Sequence, residues 1–443
     1  MPPRTGRGSD ARRTRPCGSP PPRQPSLARG PPRNSCRESP LARDGGIPFR
    51  RGVQTSCSSS VDAAISRVTV DSNHLPYYRF GLRRQHSTPV RDRSSPRECL
   101  IASKPEDGKP MTVKLALVGC GAISEWHRRG LESVPEIEIT TAVDVDAARA
   151  EAVAEKTGAT VFTSLDAALE KGDFDAVDLM LPHHLHEALA IQALDAGKHV
   201  LLEKPMAPTV AACDRILAAA ANSDRVFMIG ENSQYWPEIL IIRDLIEAGA
   251  IGDVVTARVQ LFFPPMPAFY GGDKPWRMER AAAGGGISMD TGSHYIRPLR
   301  IWLGEIDSVV AAMERPYAPM EAESLTRALF RFQSGVVVSF DLLLTAAPMA
   351  PQDLFRITGT DGEITLGARV KLYDTDHRGG TVVREDEPQG YMLSYAGQFA
   401  DFARAVLDGK PLEAGAEVAV GELRTALAME RSAKSLRWEK VWD

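Results

Sequence analysis

The sequence lacks long hydrophobic runs, and cysteines are few. No apolar stretch approaches the ~18–20 residues that a membrane-spanning helix needs, so we predict no such helix and no membrane partner. Of six cysteines in 443 residues, only Cys120 and Cys213 lie beyond residue 110. No Cys/His group has zinc spacing, and we predict no metal site. Two distant thiols in a large domain are typical of a reduced compartment, so we expect a cytoplasmic location.

The first 110 residues also lack any helical or strand periodicity. They hold 16 of the 32 prolines and carry 21 Lys/Arg against 9 Asp/Glu. Such a composition cannot bury a hydrophobic core. Three interpretations stay open: a disordered basic extension, an organellar transit segment, or a segment that is not translated because the protein begins at Met111.

The remainder of the chain has a different charge balance. Residues 111–443 carry 32 Lys/Arg against 48 Asp/Glu. An acidic body argues against nucleic acid as the main partner, so we expect a small molecule to fill that role. We divide this body into a dinucleotide-binding domain over residues 111–232 and a substrate-binding and oligomerisation domain over residues 233–443.

The first of these domains alternates strands and helices. Continuous apolar runs ending in small or polar residues predict buried parallel strands. They are VKLALVG, IEITTAVD, AVDLMLP, HVLLE and RVFMIGEN. Helical segments lie between them, for example Ala147–Lys156 before Gly158. This rhythm predicts an α/β fold with a doubly wound parallel sheet, which is the Rossmann arrangement.

The second domain shows a different texture after about Asn232. Longer segments are predicted strands, and glycine-containing turns connect some of them. The segments are Val254–Phe263, Ser324–Phe332, Gly335–Leu344 and Asp353–Gly359, with helices near Tyr395–Leu407 and Val418–Leu436. We predict an α+β domain with an open, mainly antiparallel sheet. Because an uncovered apolar sheet face must be buried, we also expect a homodimer or homotetramer.

A glycine-rich turn follows the first strand. Gly119 permits a tight turn, and Gly121 lets backbone amides approach a pyrophosphate. The helix that begins near Ala122 and Ile123 supplies unpaired amides and a positive dipole end. Ser124 replaces the usual third glycine. With a strand before it and a helix after it, this loop predicts dinucleotide binding.

Asp144 ends the second strand, 23 residues beyond Gly121. Its carboxylate can accept hydrogen bonds from a ribose diol. The next residues, Val145 and Asp146, offer no cation for a 2′-phosphate, so we predict NAD rather than NADP. Arg149 is the one nearby cation that could change this preference.

Three longer segments resemble the Gfo/Idh/MocA oxidoreductases, which include inositol dehydrogenases and glucose–fructose oxidoreductase. The segments are VGCGAIS, AVDLMLPHHLHEALAIQALDAGKHVLLEKPMA and WRMERAAAGGGISMDTGSH. The resemblance covers the chain from Met111 onward. It implies that Lys204, at the mouth of a buried strand, lies between nicotinamide and substrate. Glu203 would hold local structure or contact the cofactor ribose or nicotinamide.

The resemblance also implies that Lys204, Asp290 and His294 form the catalytic set. If residues 290–294 are helical, a spacing of four places Asp290 and His294 on one face. We expect His294 to accept the proton, Lys204 to orient the substrate oxygen or share that task, and Asp290 to bind a hydroxyl or steady the pair.

Other residues are candidates on weaker grounds. On the cofactor side we place Pro182, His183, His186, Trp276 and Arg277; on the substrate side we add Tyr235 and Arg297. The family often has an aspartate where this chain has Arg297, so a cation there raises the hypothesis of an acidic substrate. The alternative is that Arg297 turns outward to form a salt bridge with a neighbour. His127, after the phosphate loop, is interpreted as packing.

Together these features predict an NAD-dependent oxidoreductase that moves hydride between nicotinamide and a secondary alcohol of a sugar, cyclitol or related polyol. Three alternatives share the fold: an NAD-dependent glycosidase, an NADPH-linked reductase of dihydrodiols, anhydrosugars or small imines, and a non-catalytic dinucleotide sensor. The fold alone does not separate the first two.

Overall fold

A computed structural model describes residues 112–272, 275–385 and 390–442. The interpretations of residues 1–110 fall outside the described residues. None of the helices in the described part combines the length and apolar character needed to span a bilayer. No group of three or more His, Cys, Asp or Glu side chains in that part is arranged to hold a metal ion.

The first sheet has six parallel strands in the order β3-β2-β1-β4-β5-β6. Their bounds are Val113–Val118, Ile137–Val143, Thr160–Phe162, Ala176–Leu179, His199–Glu203 and Phe227–Gly230, for β1 to β6. This confirms the predicted Rossmann arrangement; only the short strand β3 was missed. The strand order reverses between β1 and β4, and ligands of such sheets bind at the carboxyl ends of the strands near this point.

Five helices connect these strands. They are α1 Ala122–Leu131, α2 Ala147–Thr157, α3 Leu165–Lys171, α4 His186–Asp195 and α5 Val210–Ala221. Side chains of Asp146, Ser164 and Thr209 cap the amino ends of α2, α3 and α5. Gly158 ends α2 in the left-handed conformation, where a residue without a Cβ is favoured. Local capping signals therefore set most helix bounds.

The second sheet has nine strands in the order β14-β13-β12-β11-β7-β10-β9-β8-β15. Their bounds are β7 Val254–Phe263, β8 Ile306–Glu314, β9 Leu325–Phe332, β10 Val337–Leu344, β11 Phe355–Gly359, β12 Glu363–Leu366, β13 Val370–Tyr373, β14 Thr381–Val382 and β15 Glu439–Lys440. The pairing is antiparallel except for β7 and β10, which run parallel. The prediction of a mainly antiparallel sheet is confirmed, although it missed five strands.

Seven helices accompany the second sheet. They are α6 Pro237–Glu247, α7 Pro267–Tyr270, α8 Arg280–Ala283, α9 Ile287–Asp290, α10 Ser293–Leu303, α11 Leu393–Asp408 and α12 Ala419–Ser435. Helix α11 packs on the first domain: Phe399 and Phe402 share a core cluster with Leu115 and Leu117 of β1. A sequence boundary at residue 232 therefore does not separate two independent cores.

Candidate active site

The phosphate loop has the geometry that a dinucleotide requires. Gly119 has a φ of +93°, and a Cβ there would lie 2.3 Å from the carbonyl oxygen of Met180. Gly121 has no atom within 4 Å of the position of a Cβ, so its open side leaves room for a pyrophosphate. It precedes α1 without supplying a side-chain cap. The first amides of α1 are therefore available to an anion.

Asp144 lies directly beside this loop. One carboxylate oxygen accepts the amide of Cys120 at 2.8 Å, and the other accepts the amide of Asp146 at 2.9 Å. Each oxygen keeps a lone pair, which suits a ribose diol. The guanidinium of Arg149 lies 3.4 Å from Asp146. Arg149 is thus engaged with a neighbouring carboxylate, and the loop fits NAD.

Lys204 and Asp290 meet where the two domains face each other. The Nζ of Lys204 donates to the backbone carbonyl of Asp290 at 2.6 Å and to its Oδ1 at 2.9 Å. The Nε of Arg277 lies 3.2 Å from Oδ2. Burial opposes ionisation of Asp290, but Lys204, Arg277 and His183 hold its pKa below the ordinary range. The result is a carboxylate that orients a nearly buried ammonium.

His294 forms a second polar cluster on the same cavity. Its Nδ1 lies 2.6 Å from Oε1 of Glu231, and its Nε2 lies 3.3 Å from the hydroxyl of Tyr391. The Tyr391 hydroxyl also donates to Oδ1 of Asn232 at 3.2 Å. Sequence reasoning missed Glu231, Asn232 and Tyr391, because their role depends on contacts across 63 to 159 residues of chain.

The structure does not place Asp290 and His294 on one helical face. Helix α9 ends at Asp290, and α10 begins at Ser293. A Cβ on Gly292 would lie 2.2 Å from the carbonyl oxygen of Ser288, so the chain turns tightly there. Asp290 turns to Lys204 and His294 turns to Glu231. The two side chains line one cavity but do not form a direct pair.

Glu203 and His127 form a buried ionic network behind the cavity. His127 has its Nδ1 2.7 Å from Asp178 and its Nε2 2.9 Å from Glu203. Both ring nitrogens face carboxylate oxygens, and an imidazolium, with a proton on each nitrogen, satisfies both contacts. Burial opposes this charge, but the two carboxylates raise the pKa of His127 to about 10. His127 is fully buried and does not line the cavity, so the interpretation as packing rather than chemistry stands, with contacts that are ionic.

A cavity of about 290 Å³ connects these groups. Its polar end carries Glu203, Lys204, Arg277, Asp290 and His294. Its other walls are apolar and largely aromatic: Ile123, Trp126, Leu261, Phe263, Met266, Phe269, Tyr270, Tyr295, Tyr391 and Tyr395. Trp126 lies on α1, just after the phosphate loop, so the loop and the polar end belong to one site.

Two predicted substrate residues lie elsewhere. Arg297 is 3% exposed and forms a bidentate pair with Glu422 at 2.9 Å, while it also donates to Gln234 at 2.7 Å. Tyr235 donates its hydroxyl to Asp401 at 2.7 Å. Neither lines the cavity. The hypothesis of an acidic substrate thereby loses the cation on which it rested, because Arg297 is occupied by a buried carboxylate.

The remaining cofactor candidates support the site from one side. His183, directly after Pro182, is buried; its Nδ1 lies 2.7 Å from the carbonyl oxygen of Ala283, and its ring packs against Trp276. His186 lies between the carbonyl oxygens of Leu181 and Pro205, each at 2.9 Å. These contacts brace the end of β5 and the segment before Asp290. The structure therefore places His183 and His186 as supports, and Arg277 in the cavity.

Two family models match the chain. Residues 113–231 match the model described as an oxidoreductase family with an NAD-binding Rossmann fold, and residues 239–365 match the Gfo/Idh/MocA C-terminal domain. Together they span more than half of the chain; the first range ends just after β6, and the second begins within α6.

Individual relatives agree. A dTDP-3,4-didehydro-2,6-dideoxy-alpha-D-glucose 3-reductase of Streptomyces violaceoruber is 31% identical over 283 residues, which are 63% of this chain and 78% of that protein. An oxidoreductase from Thermotoga maritima is 30% identical and superimposes with a TM-score of 0.67, covering 74% of this chain and 98% of that one.

GenD2 from gentamicin A biosynthesis, solved in complex with NAD, is 27% identical, with a TM-score of 0.64 and coverage of 76% of this chain and 99% of that one. The range matched by the NAD-binding model includes the loop at Gly119–Gly121 and Lys204. The chain therefore belongs to the Gfo/Idh/MocA family of oxidoreductases, whose first domain is an NAD-binding Rossmann fold.

Proposed function

We propose that this protein catalyses reversible hydride transfer between NAD and a secondary alcohol of a neutral sugar, cyclitol or related polyol. The observation that carries the proposal is the convergence of Lys204 and His294 on one cavity beside the phosphate loop. An ammonium and an imidazole at such a point can bind one hydroxyl and take its proton. The sugar reductase among the relatives supports a carbohydrate as substrate.

The cofactor would be held by residues of the first domain. The amides after Gly121 would face the pyrophosphate and Asp144 the adenosine ribose, while Glu203 and Lys204 lie at the nicotinamide end. When bound, NAD supplies the hydride acceptor, and its chemistry is the cofactor's own. The protein contributes position, exclusion of water and a route for the hydroxyl proton.

Lys204 and His294 have separate tasks in this proposal. The ammonium of Lys204, fixed by Asp290, donates a hydrogen bond to the substrate oxygen and stabilises developing negative charge. The ring nitrogen Nε2 of His294, which lies 3.3 Å from the Tyr391 hydroxyl, accepts the proton. Because Asp290 is already an acceptor for Lys204 and Arg277, it acts by orienting these cations rather than as the base.

The cavity favours a neutral substrate with an apolar face. Its cations Lys204 and Arg277 both pair with the single carboxylate of Asp290, which offsets part of their charge. The aromatic walls around Trp126 and Phe269 suit the C–H face of a sugar ring or a hydrophobic substituent. This composition supports a polyol or glycoside in preference to a sugar acid.

The test is a panel of sugars, inositols, anhydrosugars and sugar acids offered with NAD and NADP. We expect NADH absorbance to appear with neutral polyols. Variants Lys204→Met and His294→Asn should lose about 10²–10⁴-fold in kcat/KM, the range of general acid–base catalysis. Full turnover in both variants would defeat the assignment.

The same panel, extended by a glycoside, an imine and NADPH, separates the alternatives. Release of free sugar from a glycoside without net NADH would indicate an NAD-dependent glycosidase, and activity confined to NADPH with an anhydrosugar or imine would indicate a reductase of that class. Binding of NAD without turnover of any compound would indicate a sensor.

We also propose that the outer face of the second sheet forms a homo-oligomer interface and that the protein is cytoplasmic. Leu329 on β9 is 43% exposed, and Val310 pairs with it on β8. Light scattering should give a dimer or tetramer that Leu329→Asp dissociates; a monomeric parent protein would contradict this. Cell fractionation tests the location, which the buried free thiols Cys120 and Cys213 favour.

A further inference from the structure

The contact between His294 and Glu231 is shorter than any other contact of that imidazole. Nδ1 and Oε1 are 2.6 Å apart, whereas Nε2 is 3.3 Å from the Tyr391 hydroxyl. Glu231 is 1% exposed and follows β6 directly. Its Oε1 also accepts the amide of Ser233 at 3.2 Å, which fixes the carboxylate to the backbone. The imidazole is thus anchored by one ring nitrogen to a rigid element.

The charge state of Glu231 decides which nitrogen of His294 carries the proton. Burial opposes ionisation, but His294, Arg297 and Lys204 hold the pKa of Glu231 below the ordinary range. An ionised carboxylate only accepts hydrogen bonds, so Nδ1 must donate. Neutral His294 then has its lone pair on Nε2, the nitrogen directed to Tyr391 and the cavity.

We propose that Glu231 is a positioning residue that fixes this tautomer of His294 and stabilises the imidazolium formed when Nε2 takes the hydroxyl proton. The inference rests on the proposed function. In this step the substrate O–H bond breaks, an Nε2–H bond forms, and the bonding pair stays on the substrate oxygen as the hydride leaves carbon. The proton on Nδ1 stays on that nitrogen, and Nδ1–H donates to Glu231 before and after the transfer.

Tyr391 completes the arrangement from the opposite side. Its hydroxyl reaches Nε2 of His294 at 3.3 Å and Oδ1 of Asn232 at 3.2 Å, while Tyr395 donates to it at 3.4 Å. Before proton transfer the single hydroxyl proton can turn from Asn232 to Nε2, until the substrate hydroxyl takes that place. After transfer it can accept from Nε2–H and donate to Asn232. Nε2 of His294 therefore has a hydrogen-bond partner both before and after it takes the proton.

The other charged groups around this pair come from three directions. Lys204 lies at the end of β5 and Arg297 one turn further along α10, and the titratable phenols of Tyr295, Tyr391 and Tyr395 interact with Glu231. Lys204 and Arg297 favour the ionised form of Glu231. Both have carboxylate partners of their own, Asp290 and Glu422. Glu231 is therefore the carboxylate that compensates the positive charge which His294 gains when it takes the proton.

A direct test reads the tautomer without any substrate. The full chain, labelled with ¹⁵N-histidine, should show His294 with a protonated Nδ1 and an unprotonated Nε2, assigned by loss of the signal in His294→Asn. Glu231→Met removes the acceptor and should give a mixture of tautomers or the reverse one. An unchanged Nδ1–H tautomer in Glu231→Met would overturn the proposal.

Kinetics test the consequence for proton transfer. Glu231→Met should lower kcat by about 10- to 100-fold, the range found when a carboxylate that orients a metal-bound histidine is lost. Glu231→Gln keeps an acceptor but removes the charge, so the acid limb of the kcat/KM profile should move to lower pH. NAD affinity, measured by calorimetry, should stay within about threefold in both, which a general loss of structure would not allow.

The matched control is Glu422→Gln, which also neutralises a buried carboxylate but contacts Arg297 and Arg300 instead of His294. It should lower Tm and leave the acid limb in place. If His294→Asn retains turnover, the proposed base is wrong and the proposed function falls with it. If His294→Asn is inactive while both Glu231 variants keep the parent kcat and pH profile, the proposed function stands and this inference fails.

Discussion

Replacing His127 by leucine should destabilise the protein by several kcal/mol. The substitution leaves Asp178 and Glu203 in the interior without the imidazolium that lies between them at 2.7 and 2.9 Å. Removing one partner of a buried ion pair costs about 3–5 kcal/mol, because the remaining charge is desolvated and unpaired. For a body of this size that loss corresponds to a fall in Tm of about 5–15 °C.

The pH dependence gives an independent value for the same interaction. The pKa of His127 is raised from the ordinary 6.5 to about 10 by Asp178 and Glu203, against the effect of burial. Because the pKa is raised in the folded state, the contribution of His127 to the free energy of unfolding is fully present below pH 6.5. It is lost as pH rises to about 10. The difference between these two pKa values corresponds to a contribution of about 5 kcal/mol at most to the free energy of unfolding.

Differential scanning calorimetry at pH 6, 7.5, 9 and 10 measures both the destabilisation caused by His127→Leu and its dependence on pH. The parent protein should lose stability relative to His127→Leu as pH rises, so that the gap in Tm narrows above about pH 9. A gap below about 2 °C at pH 6, or a gap that stays constant to pH 10, would refute the ionic network.

The control for this experiment is His199→Asn. The Nδ1 of His199 accepts the amide of Val226 at 2.9 Å, and burial is the main cause that lowers the pKa of this histidine. Its ring is therefore neutral in this pH range. The variant should show a difference in Tm that does not change between pH 8 and 10.

Three further predictions concern the loop and Arg297. Gly121→Val should raise the Kd for NAD more than about tenfold with little change in Tm, because its Cβ meets no protein atom but fills the open side of the loop; unchanged affinity in calorimetry would contradict the loop assignment. Gly119→Ala should lower Tm, since a Cβ would lie 2.3 Å from the Met180 carbonyl oxygen; a neutral thermal melt would be inconsistent with that strain. Arg297→Ala should destabilise by less than the about 3–5 kcal/mol of a fully broken buried ion pair, because Glu422 keeps Arg300 as a partner. It should leave KM for a neutral polyol unchanged in folded enzyme; a raised KM would return Arg297 to the substrate site.

The first domain could be read from the sequence because its signals are local. A buried parallel strand is a continuous apolar run, and β5 was predicted with the bounds His199–Glu203 that the structure shows. The positive φ of Gly119 and the cap at Gly158 could be predicted because glycine, which has no Cβ, adopts a positive φ without strain. Lys204 could be placed at the carboxyl end of the parallel strands because β5 ends one residue before it.

The second half of the site could be predicted only in part. The sequence indicated Asp290 and His294, but not the turn at Gly292 that directs them to different partners. Glu231 and Tyr391 carry no local signal, because a carboxylate after a strand and a tyrosine before a helix are ordinary residues. Their role arises when chain segments distant in sequence pack together, and a single sequence does not record that packing.

Transfer of deuterium from substrate carbon to NAD tests the central claim most directly. A polyol that turns over, labelled at its carbinol C–H, should yield NADD detectable by mass spectrometry with the full chain. Label transfer should fall by at least about 10²-fold in Lys204→Met and in His294→Asn while NAD still binds. Label that appears in water, or transfers undiminished in both variants, would contradict hydride transfer at this site.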